Sequence, residues 1–385
     1  MRMSAGVQGF EAYNAAHEQN LAMVGGECPT VGLAGGYTQG GGHSMLGSKY
    51  GLGADQVLEW EVIDGNGNHL IATRDQNIDL FWALSGGGGG TYGVVLSMTV
   101  KVYPDRPTSG FNLTFTSDGI SQDTYWSLIG AWHELLPTIV DEGITGLEAF
   151  DNNSFAIVDL VGHGITTAKL NSLVSPFLAT LNSHNITYNS TTSLSPSYHS
   201  HFFNILQKAS IFPVTVSVAQ YGGRLIPRST VETNNSALTS AYRDVVRNGG
   251  SLTAVIINVN STVAGDVHNS VNPAWRTNLL DTVVTTPWNF SAPWEEMVEN
   301  ANLMTETLIP ILQSVSEGGG VYVNEADFQD PDGKGNYYGE NYERLLGVKR
   351  MYDPEHVFYA LTGVGSDFWV ERGDGRLCRA SSSSP

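Results

Sequence analysis

The sequence has 385 residues, 41% hydrophobic and 15% charged, which supplies a sizeable core and argues against general disorder. Its 19 Lys and Arg stand against 38 Asp and Glu, a net charge of -19, and no basic cluster is present, so nucleic acid and anionic membranes are disfavoured as partners. No stretch is apolar for long enough to span a bilayer.

Taken in order, residues 7–23 place Phe10, Tyr13, Leu21 and Met23 at helical spacing among alanines, which predicts a helix. The helix leads into residues 25–55, GGECPTVGLAGGYTQGGGHSMLGSKYGLGAD, the stretch around which the chain is organised. Glycine opens backbone angles closed to other residues and leaves no side chain between the main chain and a ligand. This run holds Cys28, one of only two cysteines, and is interleaved with Val31, Leu33 and Leu52. It reads as backbone pressed against a flat or phosphorylated cofactor, with an ordinary irregular loop as the alternative. Alternation over 57–63, the turn Asp64-Gly65-Asn66-Gly67 and a return strand at 69–73 predict a hairpin. Residues 79–84 then deliver a second glycine cluster at 86–90 and a strand to Val102, and Pro104 and Pro107 mark a domain boundary.

Beyond that boundary, strands are expected at 110–116, 145–161, 214–225, 253–259 and 279–284, and helices at 121–136, 166–181, 230–247 and 292–315. Ser121 and Thr166 are candidate N-caps. Strands and helices mixed without regular βα alternation predict an α+β fold with an antiparallel sheet backed by helices. Residues 342–349 form a short amphipathic helix that Asp353-Pro354 ends, and 381–385 are a frayed tail.

Several chemistries are missing their signatures. No Walker lysine follows either glycine cluster, and no clean GxGxxG opens a helix after a strand. Two cysteines a chain apart and no paired histidines offer no closed zinc ligand set, so no metal is expected. No Gly-x-Ser-x-Gly elbow is present. His43, in GGGHS, has two readings, as a base or as a histidine hydrogen-bonded to nearby backbone.

Cys28-Pro29-Thr30-Val31-Gly32, Gly35-Gly36-Tyr37-Thr38-Gln39-Gly40-Gly41-Gly42, Lys49-Tyr50-Gly51-Leu52 and Asp55 resemble the flavin-binding core of the berberine bridge enzyme-like oxidases, within the vanillyl-alcohol oxidase superfamily. The likeness continues through Phe81-Trp82-Ala83-Leu84 and residues 86–95 to Asn272-Pro273-Ala274-Trp275-Arg276, and then to Asn341-Tyr342-Glu343-Arg344-Leu345 and Asp353-Pro354. It implies an α+β protein made of the second subdomain of a PCMH-type FAD-binding domain (1–105), a substrate domain (106–320), a segment returning to the flavin (321–372) and a tail (373–385).

The resemblance also implies roles. Cys28 stands where the family bonds the isoalloxazine ring covalently, and Val31 stands at the gate where oxygen reaches the flavin. Pro29, Thr30, Gly32, Gly35, Gly36, Gly40, Gly41, Gly42 and His43 are placed on the FAD. Gly88, Gly89, Gly90, Thr91, Gly93, Val94 and Val95 are placed by its pyrophosphate and adenosine, where backbone N–H groups suit an anion. Where relatives carry a Tyr-x-Asn-Tyr-x-Asp pattern, this chain reads Tyr322-Val323-Asn324-Glu325-Ala326-Asp327, which makes Glu325 the candidate base, equally readable as a solvated or paired carboxylate. Tyr338 and Asn341 rank second.

The implied activity is hydride removal from an alcohol, sugar hemiacetal or amine carbon of a small molecule or oligosaccharide, with oxygen returning hydrogen peroxide. A monomer is expected. Relatives carry an upstream histidine that forms a second flavin bond; the sequence as given starts after that portion and is expected to be N-terminally shortened. Seven Asn-x-Ser/Thr sequons, at Asn112, Asn152, Asn185, Asn189, Asn234, Asn260 and Asn289, and an acidic, lysine-poor composition fit a secreted glycoprotein, although the first residues lack a signal peptide's apolar core. A non-catalytic remnant and a glycan-binding glycoprotein are the alternatives.

Overall fold

The computed structural model describes residues 1–209 and 219–380. Its first lobe is built on a four-stranded antiparallel sheet in the spatial order Arg2–Ser4, Gly93–Val100, Val57–Asp64, His69–Thr73. Alternation sets the buried face: Trp60 and Val62 are fully enclosed while Leu58 is exposed. Asp64 closes the hairpin by accepting the backbone N–H groups of Asn66 and Asn68. The helix Ile78–Leu84 lies beneath, and the Trp60 indole donates to Ser85 Oγ over 2.9 Å.

The second lobe is a seven-stranded antiparallel sheet in the order Tyr188–Ser195, Thr108–Thr116, Ser154–His163, Thr145–Phe150, Ser251–Ile256, Asn278–Pro287, Ala219–Pro227. One face packs on the helices Gln122–His133, Thr167–Ser183 and Arg228–Arg247 and on the run from Trp294 to Gln313, through Trp132, Phe177, Tyr242 and Leu308. The other face, with Leu147, Val161, Leu225 and Val255, joins the core of the first lobe. The α+β class and the helix-backed antiparallel sheet are therefore as expected, and the site lies where the sheet's bare face meets the glycine-rich lobe.

Several elements differ from expectation. The first helix spans only Gly9–His17; Asn20 takes a left-handed turn and Leu21–Ala22 becomes a short strand on Tyr103–Pro104. The single strand expected at 145–161 is two, because Asp151 caps a turn through Asn153 and Ser154. Thr166 and Ser121 do cap their helices. The strand expected from 214 is described from Ala219, and residues 214–218 lie outside the described residues, as do 381–385. Within the expected tail, Leu377–Arg379 pairs with Trp369–Glu371. No helix among the described residues is long and apolar enough to cross a membrane.

Candidate active site

The helix Gly9–His17 anchors the cysteine segment: its first N–H groups, at Gly9 and Phe10, donate to the carbonyls of Val31 and Pro29 over 3.0 and 2.8 Å. Held in this way, Cys28, Val31, Gly32 and Gly36 form one side of an open cleft of about 460 Å³. Its floor and far side are Glu27, His43, Tyr322, Asn324 and Glu325. The segment Val321 to Glu325 docks by way of Asn324, whose amide donates to the Gly36 carbonyl over 2.9 Å and to the Tyr322 hydroxyl over 2.7 Å.

The glycines divide into two kinds. A Cβ on Gly32, Gly35 or Gly90 would meet nothing within 4 Å, so these positions present bare backbone to open space. Gly36 is nearly as free. Gly40, Gly41 and Gly42, expected beneath a flavin, instead face the protein. A Cβ on Gly40 would stand 2.6 Å from the Asn324 amide nitrogen, and one on Gly42 2.8 Å from the Tyr37 ring. Gly41 and Gly42 also take left-handed angles, with φ of 127° and 77°. Gly93 and Val95 are likewise structural, in register with Asp64 and Val62, while Val94 points outward. Gly89 crosses so close to Gly36 that a Cβ there would lie 2.8 Å from the Gly36 Cα, and Gly86 and Gly88 both donate to the Gln39 carbonyl. The two glycine-rich loops thus form one surface.

His43 lies between two carboxylates and not on backbone, which corrects one of its two readings. Its Nδ1 is 3.1 Å from Glu27 Oε2 and its Nε2 3.0 Å from Glu325 Oε1. Burial opposes a charge on the ring, but Glu27 and Glu325 outweigh it and hold its pKa well above the ordinary imidazole value. Behind them is Asp281, fully buried in the middle of the strand Asn278–Pro287. Its neighbour Thr282 bonds Tyr242 on the helix-covered face, so alternation turns Asp281 toward the cleft. Burial first, and then Glu325, drives the pKa of Asp281 well above the usual carboxylate range. Burial, and then Glu27, raises that of the half-buried, unpaired Cys28 thiol, with His43 opposing.

The second-ranked candidates are elsewhere. Tyr338 is buried beneath Gly88 and its hydroxyl donates to the Thr362 carbonyl over 2.9 Å, so it does not enter the cleft. Asn341 spends its amide on the carbonyls of Ser270 and Val271, at 3.2 and 3.1 Å, and braces that loop. Thr91 gives its carbonyl to buried Lys349. Sequence reasoning missed Glu27, Tyr37 and Asp281 as site residues. A lone acid in the apolar run NLLDTVV was the available signal for Asp281.

Residues 1–73 match the family model described as FAD binding domain, and 321–365 match berberine and berberine like. The chain is 42% identical over 381 residues to the FAD-linked oxidoreductase ZEB1 of Gibberella zeae, covering 99% of this chain and 66% of that protein. It is 44% identical over 382 residues to the FAD-linked oxidoreductase patO of Aspergillus clavatus, with the same two coverages. The chain therefore spans about two thirds of the length of the curated relatives it matches, 66% in both cases. The crystal structure of the VAO-type flavoprotein MtVAO615 from Myceliophthora thermophila C1 superposes with a TM-score of 0.90 at 40% identity, over 98% of this chain and 69% of that one. Berberine bridge enzyme from Eschscholzia californica shares the fold, with a TM-score of 0.72 at 22% identity over 94% of this chain and 76% of that one. On these likenesses the chain belongs to the berberine bridge enzyme-like, VAO-type family of FAD-linked oxidoreductases.

Proposed function

We propose that the protein works as an FAD-dependent oxidase of a small-molecule or oligosaccharide alcohol or amine, with Cys28 as the covalent anchor of the flavin. The observation that carries this is the meeting, in one cleft, of the Cys28 sulfur, Val31, the bare backbone of Gly32 and the carboxylate of Glu325. The residues fit the cofactor: Gly32, Gly35, Gly36 and Gly90 leave room for a flat group against the main chain, and Cys28, which lines the cleft, would hold it covalently. When bound, FAD supplies the acceptor for the hydride leaving the substrate carbon and passes the electrons to oxygen, giving hydrogen peroxide.

The chain's own residues do the rest. Glu325, which lines the cleft with Oε1 held by His43, takes the proton of the substrate hydroxyl. Tyr322 packs edge-on to His43 and Trp275, at 5.3 and 5.4 Å between ring centres, and fixes the wall against which the substrate rests. Among the described residues neither Lys nor Arg lines the cleft, and Glu27 and Glu325 repel anions, which disfavours an anionic substrate. Val31, at the rim and 36% exposed, is small enough to leave oxygen a path. Asn185, Asn189, Asn234 and Asn289 are exposed sequon positions, in keeping with a secreted glycoprotein.

The test is the visible spectrum of the purified protein before and after acid precipitation. Yellow colour that stays with the pellet and is lost from it in Cys28→Ala supports the covalent anchor. A folded protein that takes up no flavin would overturn the oxidase reading.

A further inference from the structure

We propose that His43, Asp281 and Glu325 bind one divalent metal ion of the zinc type on the floor of the cleft. A ring nitrogen of His43, one oxygen of Asp281 and one of Glu325 lie within 4.8 Å of one another. Ligands on a tetrahedral zinc, each about 2.1 Å from the ion, stand about 3.4 Å apart.

The independent sign of a cation site is Asp281 itself. Its side chain is completely buried, and neither oxygen has a hydrogen-bond donor. Across the sheet it is flanked by Leu225 and Val255. Glu325 Oε2 and Glu27 Oε1 are also buried without donors. Metal binding displaces the proton of a carboxylic acid, and an ion then supplies the partner that these oxygens lack. Among the described residues His43 is the one basic side chain lining the cleft, and the carboxyl groups of Glu27, Glu325 and Asp281 stand around it.

The outer partner has the right form as well. A metal-bound histidine commonly donates its other ring N–H to a carboxylate, which fixes its tautomer and orientation. With His43 Nε2 on the ion, Nδ1 stands 3.1 Å from Glu27 Oε2, within ion-pair distance but not aligned as a hydrogen bond. The 3.0 Å separation of Nε2 from Glu325 Oε1 suits two neighbouring ligands on one ion. Imidazole and carboxylate both ligate zinc, and three protein ligands leave a fourth position for water or substrate. A substrate hydroxyl in that position would be oriented and made more acidic by the ion. This last role rests on the oxidase reading; the binding of the metal does not.

The experiment strips the purified protein with a chelator and follows zinc uptake by calorimetry and by elemental analysis after gel filtration. One zinc per chain is expected, weakened about 100-fold or more in Asp281→Asn and in Glu325→Gln, and about 10- to 100-fold in Glu27→Gln. Glu325→Gln changes a residue at the cleft edge, and keeps the test decisive where Asp281→Asn does not fold. Cys28→Ala is expected to bind zinc as before while losing its covalent flavin, so that failure of the metal site and failure of the oxidase reading are told apart. The proposal is overturned by a folded protein that takes up no zinc at about 100 micromolar, by uptake indifferent to Asp281→Asn and Glu325→Gln, or by uptake that disappears with Cys28.

Discussion

The guanidinium of Arg276 grips both carboxylate oxygens of Asp55, at 2.7 and 3.0 Å, with Asp55 almost entirely enclosed. Asp55 closes the glycine-rich stretch by accepting the Leu52 N–H, and Arg276 also holds the Val259 carbonyl. The pair therefore ties the first lobe to the second through two planar, matching groups. Removing one partner of a buried pair leaves the other charge unmet. Arg276→Ala is expected to cost about 3–5 kcal/mol of stability. Arg276→Lys should recover only part of it, because an ammonium lacks the fork. Urea titration of the three proteins measures the effect; equal midpoints would show the pair to be dispensable.

The division of the glycines gives a second expectation. Gly32 has ordinary angles, φ of -72° and ψ of 115°, and open space where a Cβ would go. Gly32→Ala should leave the stability of the flavin-free protein within about 0.5 kcal/mol of the parent while lowering its flavin uptake. Gly42→Ala meets the Tyr37 ring at 2.8 Å in a left-handed conformation, and should lose about 1–3 kcal/mol with or without flavin. Thermal melts beside flavin absorbance per chain separate the two. A loss of stability at Gly32 equal to that at Gly42 would mean the open face is not a cofactor face.

These residues also show where sequence reading reached and where it stopped. The glycine stretch was legible because composition and a lone cysteine are local signals, and so were the capped helices and the α+β class. What composition cannot say is which way each glycine faces, since Gly35 is open and Gly40 is closed by Asn324, 284 residues away in sequence. Asp281 was hidden because its partners, His43 and Glu325, come from a different lobe and a different segment. The strand Tyr188–Ser195 carries the sequence YNSTTSLS, with no apolar alternation, and exists because its backbone pairs with Thr108–Thr116 at the sheet edge. In each case the deciding contact is long-range.

The proposed base makes a kinetic prediction. Glu325→Gln keeps the size of the side chain and a hydrogen-bonding group for His43, but cannot accept a proton. Stopped-flow reduction of the flavin by substrate is expected to slow by about a hundredfold or more. Reduction at the parent rate would leave Glu325 as a paired carboxylate without a chemical role.

Acid sensitivity should follow from His163, which is buried at the end of the strand Ser154–His163. Burial, helped by the nearby Lys49 and Arg106 and opposed by Asp105, depresses its pKa to about 4. Below the unfolded value of about 6.5 the unfolded chain then binds the proton more readily than the folded one. The stability contributed by a neutral His163 is thus fully present above about pH 6.5 and is lost progressively as pH falls toward 4. His163→Gln should flatten the fall of the melting temperature across that window. A variant with the parent's slope would assign the acid loss to other groups.

Lys349 supplies the last test. Its ammonium is buried and fully committed, donating to the Thr91 carbonyl at 2.6 Å, the Phe358 carbonyl at 2.6 Å and Asp353 Oδ2 at 2.5 Å. Asp353 in turn accepts the N–H groups of Val357 and Phe358, so one ion pair holds the end of the second glycine loop against the C-terminal segment. Lys349→Met removes all three donors and leaves Asp353 charged and enclosed, at an expected cost of about 3–5 kcal/mol. Replacing both residues, as Lys349→Met with Asp353→Asn, removes the stranded charge and should return part of that loss. Thr91 remains without its donor in either protein, so flavin retention should stay below that of the parent even where stability recovers. Denaturant midpoints and flavin content per chain, measured on the single and double variants, read the two effects separately. Flavin retention that recovers in step with stability would reduce Lys349 to a strut for the fold, with no hold on the cofactor loop.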